Sequence, residues 1–247
     1  MNLLIKTAAL EWKMNARNFL NVFFSLVFPI MMLLLFGSMY GNDPSPYYGG
    51  HGSVDISAPG YICMVVAVSG LMTLPITVSQ YRERKILKRF MATPIRPLDI
   101  LVAQLVVNAL VTLIGSILLI IVGVIVFDLK FYGNPMLVFF GTVLVMASIF
   151  SIGLFIAGFT KNAKAALAIS YVIYFPMLFL SGATLPLQFM PETIQNISKA
   201  LPLTYGIELV RGLWLGESIT EFGLQIAVLL GVFVVLGGLS LKTFRWE

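Results

Sequence analysis

Residues 81–98 read YRERKILKRFMATPIRPL and lie between two long, nearly uncharged runs. Six basic residues, Arg82, Arg84, Lys85, Lys88, Arg89 and Arg96, stand against one acid, Glu83. A cationic insertion between two membrane-length apolar runs belongs in water, because charges at mid-bilayer are expensive. Ile86, Leu87, Phe90 and Met91 recur at helical spacing, so one face of a short helix is oily and the rest is cationic. Thr93-Pro94 and Arg96-Pro97 break that helix, since proline lacks the amide donor and restricts the residue before it. The reading is a compact amphipathic helix with a stiff exit, held at a membrane surface.

Two uses fit such a helix. In the first it is a loop whose charges set orientation and touch anionic lipid, each basic residue contributing about 1 kcal/mol near the surface. In the second its oily face docks into a groove on a soluble protein and passes motion to the adjoining membrane helices.

Composition fixes the class. The chain has 247 residues, 59% hydrophobic and 11% charged, with a mean hydropathy of +0.95. A soluble domain carries about 25% charged residues, so this is an integral membrane protein, and the helical-length apolar runs make an all-α fold the expectation. The net charge of +5 sits in short segments beside apolar runs rather than in a continuous stripe, which argues against nucleic acid. Cys63 is the single cysteine, so no disulfide forms within the chain and no structural zinc cage is available. The first apolar run is too long for a signal-peptide core and lacks a small-residue cleavage pattern, so it is expected to remain as a span.

Residues 1–18 place Leu3, Leu4, Leu10 and Trp12 among Lys6, Glu11, Lys13 and Arg17, the pattern of a helix lying in the interface with Trp12 at headgroup depth. Six spans are expected, at about 19–40, 58–80, 99–127, 136–160, 165–181 and 222–241. Pro29 kinks the first, and Ser69-Gly70 and Pro75 interrupt the second. Residues 41–57 form a turn-rich external loop with His51, Asp43 and Asp55 but no lysine or arginine. The fifth span is spent by Leu180, short of a ~30 Å crossing at ~1.5 Å per residue, so the chain continues, tilted or broken, through Ser181-Gly182.

Residues 182–221 remain oily yet hold Pro186, Pro191 and Pro202 together with Glu192, Lys199, Glu208, Arg211, Glu217 and Glu221. A mid-bilayer charge costs about 2.5 to 3.5 kcal/mol, so this is no ordinary span. Pro191 followed by Ile194, Ile197 and Leu201 reads as a short amphipathic helix, and Tyr205 to Leu215 as a second. The pair is expected to dip into the outer leaflet or lie on it.

Six spans return both termini to one side. Thirteen of the 16 lysines and arginines then share that side, leaving Lys130, Lys199 and Arg211 on the other. The positive-inside bias places both ends in the cytoplasm.

Several chemistries are missing. No lysine follows a glycine, so a Walker A phosphate loop is absent. With His51 as the one histidine, two-histidine metal sites are impossible, and in its Gly-rich setting it reads as a loop residue. Neither a GxSxG elbow nor a GxGxxG fingerprint occurs, and no catalytic residues are assigned. The expected spans carry no charge away from their ends, which disfavours an ion-coupled carrier. Tyr171, Tyr174, Phe175 and Phe179 fall at helical spacing on the fifth span, and Ala163, Ala166 and Ser170 permit close helix approach. Packing against lipid or within the chain fits the aromatic set, and so does a lining for an amphiphilic or apolar substrate.

Two stretches carry a family resemblance. Arg82-Glu83-Arg84-Lys85-Ile86-Leu87-Lys88-Arg89-Phe90-Met91-Ala92-Thr93-Pro94 is similar to the acidic-basic run ending in Leu-x-Arg-Leu-x-Ala-Thr-Pro between spans two and three of ABC-2 type transporter permeases. Leu180-Ser181-Gly182-Ala183, Leu185-Pro186, Met190-Pro191 and Leu201-Pro202-Leu203-Thr204-Tyr205 to Arg211 resemble the family's "LSG…P…LP…NPLTY…R" pattern. The layout is nearest to compact drug- and nodulation-factor-export permeases. Lys85-Ile86 stands where the family often has Gly-Thr, and Leu201 replaces Asn before Pro202.

The resemblance implies a coupling helix seated in the cleft of a separate ABC ATPase subunit. Arg82, Glu83, Arg84, Lys85, Leu87, Lys88, Arg89 and Phe90 would dock, Thr93-Pro94 would hold the exit, and an interfacial helix with Trp12, Lys13 and Arg17 would lie beside them. Gly182, Pro186, Pro191, Pro202, Tyr205 and Arg211 would belong to re-entrant helices closing the outer end. ATP and Mg would bind on the partner, this chain holding no cofactor or metal, and two copies or a close paralogue would form a dimer with the pathway between them. The implied function is export of a drug, lipid, glycolipid or peptide across the cytoplasmic (inner) membrane. A membrane scaffold or assembly protein, or a channel without ATPase coupling, is the alternative.

Overall fold

A computed structural model describes residues 22–85 and 97–243, and every regular element among them is helical. Six helical segments are long and apolar enough to cross a membrane: Phe23–Tyr40, Pro46–Glu83, Ile100–Phe127, Pro135–Phe159, Ala163–Leu180 and Ile219–Ser240. We call them spans 1 to 6. The end of the bundle where spans 2 and 3, and spans 4 and 5, are joined is termed the basic end, and the opposite end the far end.

Span 2 is the centre. Its helices Ser53–Ala67 and Leu74–Glu83 are joined by a π-turn, Val68–Thr73, and nearly every residue from Ser53 to Leu74 is buried. It packs against spans 1, 3, 4 and 5. Span 1 shows the same local device, a π-turn at Phe23–Val27 just before Pro29. In each case a proline follows closely, at 29 and 75. Proline lacks the N–H and crowds the carbonyl four residues back, and the wider turn gives that carbonyl room without ending the helix.

Span 2 also meets span 4 at very short range. A Cβ added at Gly153 would lie 1.9 Å from the carbonyl oxygen of Gly70, and one added at Gly70 would meet the Phe150 ring at 2.7 Å. These two glycines let the helices approach backbone to backbone.

Several expected boundaries move. The α-helix of span 2 begins at Ser53 rather than Ala58, so the end of the loop expected over 41–57 is helical. The Asn42 side chain explains the early start: its Oδ1 accepts from the N–H groups of Val54 (3.0 Å) and Asp55 (3.2 Å), satisfying donors that a helix leaves open in its first turn. The basic segment expected over 81–98 is narrower, because Tyr81–Glu83 still belong to span 2 and the span 3 helix already starts at Pro97. Proline's fixed φ suits that first helical position. The fifth helix stops at Leu180, and Gly182, at φ 85°, turns the chain away.

Beyond it come a 3-10 turn Leu187–Phe189, a short helix Glu192–Ser198 and a longer one, Pro202–Leu215. The longer helix begins at Pro202 rather than Tyr205 and wedges against spans 2, 4 and 6, burying Leu203, Ile207, Val210 and Trp214. Trp214 Nε1 donates to the Lys130 carbonyl at 3.2 Å, Tyr132 N–H donates to the Trp214 carbonyl at 3.2 Å, and the Phe131 ring meets the indole edge-on at 4.5 Å. The turn between spans 3 and 4 is thereby fastened to this helix.

Candidate functional site

The basic stretch emerges from a strongly braced root. Arg84 N–H donates to the Gln80 carbonyl at 2.9 Å, and Lys85 then adopts a left-handed φ of 54° that ends the helix. Just above that exit, four side chains of span 2 reach three other spans. Ser79 Oγ and Thr160 Oγ1 are 2.8 Å apart, both buried. Arg82 Nη1 donates to the carbonyl of Ala157 at 2.8 Å and to that of Thr160. Glu83 Oε2 accepts from the N–H of Ala163 at 3.0 Å. Tyr81 OH accepts from Gln104 Nε2 of span 3 at 3.2 Å.

The signs of these contacts follow from helix polarity. Arg82 places a guanidinium on the carbonyl end of span 4, where unpaired C=O groups gather, and Glu83 places a carboxylate on the amino end of span 5, where N–H groups are open. Asn162 adds a second cap there, its Oδ1 accepting from Ala165 N at 2.8 Å. The root of the basic stretch is therefore tied to the span 4–5 turn and to span 3 together.

The side chains of Arg84 and Lys85 are exposed. Leu87, Lys88, Arg89, Phe90, Thr93 and Pro94 lie outside the described residues, as do Trp12, Lys13 and Arg17.

The aromatic set of span 5 divides. Tyr171, Phe175 and Phe179 form an outward ladder at four-residue spacing, with ring centroids 5.5 and 6.4 Å apart. Tyr174 turns inward with Ala166 and Ser170 and is 1% exposed. Its hydroxyl has no hydrogen-bond partner among the described residues.

At the far end, the proline-rich segment is gathered by Arg211. Its Nε donates to the Ile56 carbonyl at 3.1 Å and its Nη2 to the Gly182 carbonyl at 3.3 Å, pinning the turn after span 5 onto span 2. Gly60 permits that contact, because a Cβ there would approach the Ala183 carbonyl at 3.0 Å. Tyr205 OH donates to the Lys199 carbonyl at 2.8 Å, closing the hairpin between helices that start just after Pro191 and at Pro202. Pro186 is buried beside the Gly182 turn.

Two features escaped the sequence reading. Asp55, expected in an external loop, is 1% exposed at the start of span 2. Its Oδ1 accepts from Asn42 Nδ2 and from the N–H of Lys130, each at 2.9 Å, and its Oδ2 from Tyr132 OH at 3.1 Å. Partial desolvation and the neighbouring charges of Asp55 and Asp128 hold the Tyr132 phenol above its ordinary pKa range, so it stays a donor. The second is a polar seam on span 3, Gln104, Asn108, Thr112 and Ser116, all buried at four-residue spacing. Thr112 and Ser116 each donate to the carbonyl one turn back at 2.8 Å, so most of the seam is satisfied within its own helix.

These features define a multi-pass helical membrane protein whose cationic loop is rooted in its spans. The sequence model of the ABC-2 type transporter family matches residues 5–215, and the chain belongs to that family. It is 24% identical over 190 residues to a protein of Escherichia coli (strain K12) named "Probable multidrug ABC transporter permease YbhS", covering 76% of this chain and 50% of that one. Nodulation protein J of Rhizobium meliloti is 39% identical over 70 residues, 28% of this chain and 27% of its own. ABC transporter G family member 20 of Dictyostelium discoideum is 25% identical over 178 residues, 72% of this chain and 24% of its own. The chain thus spans about half the length of the multidrug permease, or less of the longer relative.

Proposed function

We propose that the chain is the transmembrane permease subunit of an ATP-driven exporter that moves an amphiphilic or hydrophobic substrate outward across the cytoplasmic membrane. The basic end faces the cytoplasm, with both termini, and residues 81–98 take up the motion of a separate ABC ATPase. The observation that carries this reading is the root of the basic stretch: Arg82 and Glu83 bind the ends of spans 4 and 5, so a push on the loop is delivered to three spans rather than lost in a flexible tether. The spelling of 82–94 and the names of the relatives support the same reading.

In this scheme Arg84, Lys85, Leu87, Lys88, Arg89 and Phe90 meet the ATPase, Arg82 and Glu83 act from the base, and Thr93-Pro94 stiffens the exit. Residues 1–18 lie along the inner surface. Two copies, or one copy and a paralogue, enclose the pathway, with Tyr171, Phe175 and Phe179 presented to it. The far-end hairpin of Gly182, Pro186, Pro191, Pro202, Tyr205 and Arg211 closes the outer side. ATP and Mg are held by the partner.

The test is co-purification with a candidate ABC ATPase subunit, followed by substrate-stimulated ATP turnover in lipid. Phe90→Asp and Arg89→Glu are expected to abolish both assembly and stimulation. Unchanged assembly and turnover in those variants, or transport by the chain with no ATPase present, would overturn the proposal.

A further inference from the structure

A pocket of about 410 Å³ opens at the far end between span 1, the loop before span 2, the start of span 2 and the turn after Gly182. Its size falls within the ~300–1,000 Å³ typical of small-molecule sites. Three of its walls are aromatic. Phe36 and Tyr40 stack with centroids 6.3 Å apart on span 1, and Tyr48 meets Phe189 edge-to-face at 5.7 Å, bridging the first loop to the segment after span 5. The fourth wall is a stripe of hydroxyls on span 2, at residues 53, 57 and 61.

That stripe holds an unfilled valence. Ser53 Oγ is already committed to the Gly41 carbonyl at 2.8 Å. Tyr61, which lines the pocket, is 1% exposed, and its buried hydroxyl has no partner among the described residues. A buried O–H left unpaired costs free energy that a ligand acceptor would recover. Ser57, one turn away, likewise bonds to none of the described residues.

We infer that this pocket is a binding station for an uncharged, ring-bearing amphiphile whose acceptor oxygen receives a hydrogen bond from the Tyr61 hydroxyl while its rings lie against the aromatic walls. The inference rests on the export reading only for its place in the cycle, as the last site before release on the outer side. Among the described residues, no side-chain carboxylate, amide or cation lines the pocket. An ion would find no counter-charge there. Flat rings gain from offset and edge contacts with Phe and Tyr, and the acceptor meets the buried Tyr61 donor.

The experiment needs no ATPase. Cys63 is buried, so Thr184→Cys on the pocket wall supplies one reactive thiol for a maleimide dye on the full chain in lipid nanodiscs. 2-Acetylanthracene, neutral and planar with a single carbonyl acceptor, is expected to slow labelling saturably. Adding Tyr61→Phe, which keeps the ring and removes the donor, should weaken half-protection about fivefold to tenfold. Adding Ser57→Trp, which fills the space, should abolish protection. Thr184→Cys labelling that is unaffected by the probe up to its solubility, or protection unchanged by both added substitutions, overturns the pocket whether or not transport is observed. Protection with the expected losses upholds the pocket even where ATP-driven export fails.

Discussion

Arg82 of span 2 donates a 2.8 Å hydrogen bond to the carbonyl of Ala157 in span 4, across 75 positions of sequence. The contact is made by a residue that reads, in the linear chain, as one more charge of a solvated loop. It gives the loop a rigid base and sets the first prediction. Arg82→Lys keeps the charge but shortens the side chain, so that its nitrogen falls short of the two carbonyls that Nη1 holds. ATP-driven transport is expected to fall about fivefold or more while the ATPase still co-purifies, and Arg84→Glu, at an exposed position, is expected to weaken co-purification instead. Pull-down and vesicle uptake measured on the same preparations separate the two; equal effects on both would remove the division of roles.

Lys85 occupies the left-handed region with its side chain exposed. A residue with a Cβ costs about 1 kcal/mol there relative to glycine. Lys85→Gly should therefore raise the apparent melting temperature of the detergent-purified chain by a small, measurable amount. A decrease would mean that the lysine side chain contributes more at this position than its backbone strain takes away.

Gly153→Ala places a methyl 1.9 Å from the Gly70 carbonyl oxygen, a backbone atom in the most buried span of the bundle. Neither helix can yield without separating, so a loss of roughly 2 to 3 kcal/mol is expected. Thermal unfolding in detergent should register it clearly. Gly231→Ala, at a position where an added Cβ meets nothing within 4 Å, is the matched control and should be neutral.

Asp55→Ala leaves Asn42, Tyr132 and the Lys130 N–H without their shared acceptor. A loss of about 3 kcal/mol is expected from those stranded donors, against about 1 kcal/mol for Tyr132→Phe, which removes one bond at a half-exposed ring. Unfolding curves of the two single variants and the double variant test this, and strict additivity would deny that the groups share a network.

Much of the fold is legible in the residues. Hydropathy and the distribution of lysine and arginine give the number of spans, because the bilayer allows few ways to bury an apolar run. The break after Leu180 is readable too, since Ser181-Gly182 cannot extend a helix for long. What escaped is whatever depends on a distant partner. Asp55 looks like a loop acid because acids usually are; its burial depends on donors from Asn42 and from the turn at Lys130. Tyr174 shares its spacing with Tyr171, Phe175 and Phe179, yet at about 100° per residue it sits about 60° to one side of Tyr171 and about 100° from Phe175, and that rotation turns it inward. Arg82 and Glu83 are indistinguishable by sequence from the basic residues that follow, and only the neighbouring helix ends set them apart.

The π-turn Val68–Thr73 inserts one residue beyond what an α-helix of the same rise would hold. Everything after it on span 2 is consequently rotated by about 100° with respect to the first half. Ser79 and Arg82 face span 4 by virtue of that offset. Deleting a single residue between 68 and 73 would keep the span hydrophobic and continuous, yet swing its inner third a quarter-turn about its axis and aim the guanidinium away from the carbonyls it now holds. In this protein, the phase of one helix is a mechanical part.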